Sequence, residues 1–423
     1  MQQTDVAIVG AGVAGLCAAL QLQEENLEVQ VFEASNAVGG RIKTDKVDGF
    51  LLDRGFQIFL TAYPEAQRWL NYEALGLKHF DAGAISYYNE HFYTVYDPYR
   101  HPWQALRSVL APFAGVKDAF ALRALRQHVQ TRSIAKLLAE TEMSSDVWLR
   151  KWSFRKSLVL ALIKPFFTGV FLDHELATSS RMFTFLLKMF SEGYASLPEQ
   201  GMQAIPEQLA SRLQAPALHL NTAVTKIEKN KLTLSNGERI QARAIIVATD
   251  GATAARLLNL PQIAPERCNE TRCLYFSAEK PPIEQPILVL NGSGKGIVNS
   301  LCVPSLVNSN YGTEDRDLIS VTTVVPTDHL NDEQLLVEVK KELRHWFKKE
   351  VRFWEHIRTY SIPEALPFSS SINPLQKEQI KPILPSIYLA GDYTNYPSMN
   401  GAMESGRLVA TTIAWDLALK RYK

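Results

Sequence analysis

Val6-Ala7-Ile8-Val9-Gly10-Ala11-Gly12-Val13-Ala14-Gly15 passes from an apolar, β-branched run straight into three glycines spaced G-x-G-x-x-G. A buried strand followed at once by that spacing marks the start of a dinucleotide-binding unit. Gly10 permits the tight turn, Gly12 lets backbone approach a pyrophosphate, and Gly15 lets the next helix pack close to the strand. Val13 and Ala14 fall at the start of that helix, where free N–H groups and the positive dipole end face phosphate. Leu16 to Glu24 keeps a helical composition, and Val29-Gln30-Val31-Phe32-Glu33 reads as a second strand. Its terminal Glu33, 23 residues after Gly10 and followed by Ala34, is placed to accept hydrogen bonds from ribose hydroxyls. These residues alone leave FAD and NAD both open.

Composition bounds the rest. The chain has 423 residues, 46% hydrophobic and 21% charged, which is a globular balance too long for one ordinary core. A net charge of +1 gives no electrostatic case for nucleic acid. No run reaches the ~18 apolar residues of a membrane-spanning helix. The first strand begins near the fifth residue and leaves no room for a signal peptide, so a cytoplasmic protein is expected. Cys268 and Cys273 have C-x4-C spacing but lie far from the glycine motif, with Cys273 in the strand-like Cys273-Leu274-Tyr275-Phe276; two unrelated thiols are expected. No cysteine–histidine cluster has metal-ligand spacing, and no metal is expected.

Further along, Gly39-Gly40-Arg41 follows the second strand, and Asp53-Arg54-Gly55-Phe56-Gln57-Ile58-Phe59-Leu60 looks like a glycine-bearing entry into a strand. Tyrosines between Tyr87 and Tyr99 suggest a small sheet. Pro102 to Glu192 reads as mostly helical, with Pro112 and Gly115 dividing one stretch and Pro165 interrupting the apolar run Leu158 to Leu172. Arg150-Lys151 and Arg155-Lys156 flank Trp152 and Phe154, a basic-aromatic rim suited to peripheral membrane contact or to a solvated helix end. Leu218 to Glu228 alternates as a strand, and Ala244 to Asp250 reads as a buried one. Pro286–Leu290, Ile297–Val303 and Leu318–Val325 read as strands, with a hairpin turn at Gly292 to Gly296. Asn331 can cap an amphipathic helix whose core stripe is Leu336, Val339, Leu343 and Phe347. A last strand ends at Gly391-Asp392, and a helix follows from Met399-Asn400.

Taken together these segments resemble the FAD-dependent amine oxidase, carotenoid desaturase and protoporphyrinogen oxidase superfamily. The resemblance is dense over about 1–60, 196–250 and 384–415. It implies non-covalent FAD, with Gly39, Gly40 and Arg41 by the phosphates, Val224 at the adenine, and Gly55, Phe56 and Gln57 on the flavin side. Gly391 and Asp392 would approach the ribityl–pyrophosphate region, and Met399 and Asn400 the flavin pyrimidine. The terminal Ala390-Gly391-Asp392-Tyr393-Thr394 motif looks closest to plant-type phytoene desaturases, although Asn400 replaces the usual glutamate and Ser35 a frequent arginine. The implied fold is α/β: a discontinuous Rossmann-like FAD-binding domain (1–85, 196–260 and 375–423) with an α+β substrate-binding domain from two insertions (86–195 and 261–374). The implied activity is hydride removal from an apolar small-molecule substrate, with oxygen or quinone as electron acceptor. A flavin-dependent amine oxidase is the alternative, and a flavin-binding protein without turnover a further one. No residue is singled out as a catalytic acid or base.

Overall fold

The structure is a computed structural model describing residues 2–108, 111–324, 326, 327 and 329–419. Its first sheet gathers strands from three distant parts of the chain: β1 (Gln2–Val9), β2 (Val29–Phe32), β3 (Leu218–His219), β4 (Val224–Glu228), β5 (Lys231–Leu234), β6 (Arg239–Val247) and β7 (Ile387–Leu389). The order is β3-β2-β1-β6-β5-β4. β5 pairs antiparallel with the first part of β6 and β7 parallel with its last part. The sequence suggested one alternating strand from Leu218 to Glu228; the structure breaks it into β3 and β4, which sit at opposite ends of the sheet.

β1 is apolar at successive positions because both of its faces are covered. Val6 and Ile8 pack on the side of the helix α1 (Val13–Glu24) and the C-terminal helix Met399–Leu419. Ala7 and Val9 pack on the opposite side, against Ala254, Leu258 and the β4–β5 hairpin. α1 lies against the C-terminal helix, where Gly406 has no room for a Cβ: it would stand 2.0 Å from Ala14 O.

The second seven-stranded sheet runs Glu355–Pro367, Cys268–Ala278, Asp317–Thr323, Val298–Cys302, Leu288–Asn291, Gly83–Tyr88, His91–Tyr96. The tyrosine-rich hairpin is therefore not a small separate sheet: Gly83–Tyr88 pairs in parallel with Leu288–Asn291. The strand Glu355–Pro367 had no sequence assignment, and it pairs along nearly the whole of Cys268–Ala278. Helix Asp332–Phe347 covers one face; Asn331 and Gln334 form its capping box. Its buried stripe uses Leu335 in place of Leu336, with Val339, Leu343, Trp346 and Phe347. The other face packs on Phe50, Leu51 and Leu52. Val325, the expected end of one strand, lies outside the described residues.

Pro165 does not interrupt its helix. The chain stays helical through Lys156–Leu158, a π-turn at Val159–Ile163, and Lys164–Phe171. A wider π-turn absorbs a residue that can donate no helical hydrogen bond. The carbonyl of Ala161, four residues before the proline, accepts instead from Ser86 Oγ at 2.6 Å. No described helix is long and apolar enough to cross a membrane.

Candidate active site

The register of the first sheet puts the ends of four strands side by side: Val9 pairs with Phe32 and Val247, and Val247 with Leu389. Ligands of open α/β sheets bind outside such carboxyl ends. The residues that follow edge a cavity of about 1240 Å³. Its nucleotide end is lined by Gly10, Gly12, Val13, Ala14, Glu33, Ala34, Gly39, Gly40, Arg41, Val224, Gly391 and Asp392, and Gly55, Phe56, Gln57 and Met399 line it further along. Gly15 and Asn400 are absent from the lining.

The three glycines of the opening motif do three different things. Gly10 has φ +102° and sits against Ala248 O, where a Cβ would come within 2.9 Å. A Cβ on Gly12 would meet no protein atom within 4 Å, so the space beside it belongs to the cavity. A Cβ on Gly15 would stand 2.1 Å from Gly10 O, so this glycine serves helix–strand contact alone. Glu33 Oε2 accepts from the Ala11 N–H at 2.8 Å, while Oε1 accepts from the Ser35 N–H and hydroxyl at 2.9 and 2.7 Å. These three donors take three of the roughly four lone-pair sites of a carboxylate, which fixes the group at the cavity wall and leaves about one, on Oε2, for a ribose hydroxyl.

Arg41 and Asp392, 351 positions apart in the chain, pair at 2.6 Å (Nη2 to Oδ1), and Arg41 Nη1 donates to Ala365 O at 3.2 Å. Gln57 Nε2 bridges the carbonyls of Arg41 and Arg54, each at 3.1 Å. These bonds hold the glycine-rich loop, the Gly55 turn and the terminal strand in one frame.

The placement of Asn400 needs correction. Its side chain turns inward, accepting from the Glu65 N–H at 3.0 Å and donating to Tyr396 OH at 2.6 Å. Glu65 is in turn held by Arg407, whose Nη2 donates at 2.6 Å and Nε at 2.9 and 3.0 Å. At the start of the C-terminal helix Ser398, Met399 and Ala402 line the cavity, and Asn400 does not. Ser398 Oγ accepts from the Gly401 N–H at 2.9 Å and caps that start.

Beyond the nucleotide end the cavity becomes apolar. Phe166, Val170, Phe171, Leu172, Leu186 and Phe190 form one wall, and Leu288, Ser300 and Thr322 of the second sheet form the floor. Between Leu158 and Phe190 wall and core separate residue by residue: Leu158, Phe167 and Phe183 are buried without lining the cavity. Sequence reasoning missed Asp45, Arg54, Arg358 and Tyr360, which also line the cavity. Arg54 had a signal in its position next to Gly55, whereas Arg358 and Tyr360 lie on the unassigned strand. Trp152 and Phe154 of the expected basic-aromatic rim pack against the core, and the charged residues around them stay exposed.

Asp53, close to the Gly55 turn, is buried. It accepts from Thr44 Oγ1 at 2.5 Å, Met202 N–H at 3.0 Å and Tyr311 OH at 2.7 Å. Desolvation pushes its carboxyl up to about 6 despite those three donors. All four cysteines are free, and Cys268 and Cys273 lie along one strand. Among the described residues no group of acidic, histidine or cysteine side chains is arranged to hold a metal.

The family model for flavin containing amine oxidoreductases matches residues 13–414. The chain belongs to this family. It is a flavin oxidoreductase. Over 97% of its length it is 24% identical to a 15-cis-phytoene desaturase of an Oncidium hybrid, spanning 78% of that protein. A coproporphyrinogen III oxidase of Bacillus subtilis is 24% identical over 61% of this chain and 63% of its own. Among solved structures, an oxidoreductase from Methanosarcina mazei superposes with a TM-score of 0.73 at 15% identity, covering 95% of this chain and 98% of that one. Cyclohexylamine oxidase from Brevibacterium oxydans gives 0.67 at 16%, covering 98% and 99%. Both structures share the fold.

Proposed function

We propose that the flavin is FAD, held without a covalent bond, and that the protein removes hydride from an apolar substrate, with oxygen or a quinone as the final electron acceptor. The observation that carries this reading is a single cavity with two chemistries. One end has the glycine turn, Glu33 and the Arg41–Asp392 pair; the other is walled by Phe166, Val170, Phe171, Leu186 and Phe190. Its volume, about 1240 Å³, exceeds the roughly 300–1,000 Å³ of a pocket for one drug-sized ligand.

The residues present fit a dinucleotide. A Cβ on Gly12 would meet no protein atom within 4 Å, which suits close approach of a pyrophosphate, the start of α1 supplies N–H groups, and Glu33 Oε2 supplies an acceptor for ribose. No cysteine or histidine is found among the described residues lining the cavity, which supports non-covalent binding. The chemistry supplied by a bound flavin is hydride acceptance. For that chemistry the chain provides position and electrostatics. The start of the C-terminal helix at Met399 aims its positive end into the cavity, where it favours a developing negative charge. The phenylalanine wall excludes water and aligns an apolar body.

Heat or acid denaturation of the purified protein should release FAD. Anaerobic mixing with apolar polyenes, against a panel of amines, should bleach the flavin with a polyene, and oxygen or a quinone should restore it. Bleaching by an amine alone would overturn the substrate reading in favour of amine oxidation.

A further inference from the structure

We propose that the substrate carries a neutral oxygen, a hydroxyl or a carbonyl, on its apolar body and that Ser300, on the chamber floor, hydrogen-bonds it; the inference rests on the apolar-substrate reading above. Ser300 belongs to the strand Val298–Cys302, is 3% exposed, and lines the cavity with Leu288 and Thr322. Gly169, in the helix Lys164–Phe171, shows where its hydroxyl lies: a Cβ on that glycine would stand 3.9 Å from Ser300 Oγ. Phe166, Val170 and Phe171 of the same helix line the apolar part of the cavity. The next residue back, Asn299, ties strand to helix through Nδ2, which donates to Pro165 O at 3.2 Å.

The Ser300 hydroxyl has nothing in the protein to bond. The sheet register sets Ser86, Leu290, Ser300, Thr322 and Cys273 in one row across five strands, and residues opposite one another share a face. The other hydroxyls of this face are engaged. Ser86 Oγ donates to Ala161 O at 2.6 Å, and Thr322 lies against the Cys273 thiol. Thr271, two residues before Cys273 and also lining the cavity, donates to Thr323 O at 3.0 Å. Among the described residues Ser300 Oγ has no hydrogen-bond partner, yet it is not one of the fully enclosed atoms left unpaired, Gln30 Oε1, His219 Nε2 and Tyr393 OH. It therefore opens into the cavity.

A largely buried hydroxyl without a partner is costly, and a ligand that supplies one recovers the loss. The neighbours decide which kind of ligand atom fits. Leu290, Thr322 and Cys273 across the sheet and Gly169 above it carry no charge, and burial pushes the Cys273 thiol up to about 11, so it stays neutral. None of them balances a carboxylate or an ammonium, so a charged group there would be stranded. A hydroxyl or carbonyl needs no counter-charge, and serine can meet it as donor or acceptor. A pure hydrocarbon would leave Ser300 unmatched.

The test is equilibrium dialysis of the FAD-loaded protein against all-trans-retinol and axerophthene, the hydrocarbon in which a methyl group replaces the retinol hydroxymethyl. Retinol should bind about tenfold more tightly or better, although it is the less apolar of the two. Ser300→Ala should abolish that preference by weakening retinol and leaving axerophthene unchanged. Ser300→Cys, with its weak donor, should fall between the native protein and Ser300→Ala. Axerophthene binding as tightly as retinol in the native protein would overturn the inference while leaving the apolar reading intact. So would a preference that survives Ser300→Ala, or equal weakening of both probes by that substitution. Failure of both probes to bind the native protein would overturn the apolar reading and the inference with it.

Discussion

Two alanine substitutions three residues apart should fail in opposite ways. Gly12→Ala adds a methyl group where no protein atom lies within 4 Å, and Gly12 already has φ −71° and ψ 174°, a conformation alanine adopts freely. The flavin-free protein should therefore keep its stability to within about 0.5 kcal/mol. The methyl instead occupies space beside the pyrophosphate and should cost one or two charge-assisted hydrogen bonds from the loop. At about 1.5–3 kcal/mol each, FAD affinity should fall roughly 10- to 100-fold or more. Gly15→Ala puts its Cβ 2.1 Å from Gly10 O, a rigid backbone atom, so α1 must move off β1. Overpacking costs about 1–3 kcal/mol, and the helix-propensity gain of about 1 kcal/mol offsets only part of that. Urea unfolding of the flavin-free proteins and FAD titration by flavin fluorescence separate the two effects. A Gly12→Ala protein binding FAD like the parent, or a Gly15→Ala protein as stable as the parent, would refute this account of the loop.

Three further outcomes follow from buried polar groups. Because the Asp53 carboxyl is raised to about 6 in the fold, the native state binds more protons than the unfolded chain between about pH 4 and 6. Its contribution to stability is therefore fully present below that window and lost as pH rises through it. Asp53→Asn, which can keep acceptance from Thr44 and Met202 and donate to Tyr311, should flatten that fall in urea midpoints between pH 4.5 and 7; an unchanged pH slope would count against it. Ser86→Ala leaves the Ala161 carbonyl without its donor and should destabilise by about 1–3 kcal/mol in urea. If Ser86→Ala costs nothing, the idea that Ser86 compensates for Pro165 fails. Arg407→Met strands the Glu65 carboxylate, whose side chain is 7% exposed, and should cost about 3–5 kcal/mol; restoration by Glu65→Gln in the same protein separates stranded charge from lost packing.

What the sequence revealed and what it hid divide along chain distance. The strand, glycines, helix and Glu33 are a local pattern, and each has the place in the structure that its neighbours in sequence imply. The capping box at Asn331 is local in the same way. Glu355–Pro367 went unread because its alternation is weak and its pairing partner lies some ninety residues earlier. Pro165 looked like a break because the compensating hydroxyl comes from Ser86, on another sheet. Asn400 looked like a ligand contact by position, yet its amide is committed to Glu65 and Tyr396, one of them 335 positions away. Asp53 read as part of a turn, and only Tyr311, 258 positions on, shows that it is a buried carboxyl.

The central claim is that the strand ends grip a flavin dinucleotide through its adenosine half as well as through the ring. Titrating the flavin-free protein with FAD and with FMN tests this most directly. On the proposed reading Glu33 takes the ribose of the adenosine half that FMN lacks, and the glycine turn takes the pyrophosphate, of which FMN keeps one phosphate, so two or more charge-assisted hydrogen bonds of about 1.5–3 kcal/mol each are at stake. FAD should bind at one equivalent and FMN at least about 100-fold more weakly. Equal affinity for FAD and FMN would contradict the account.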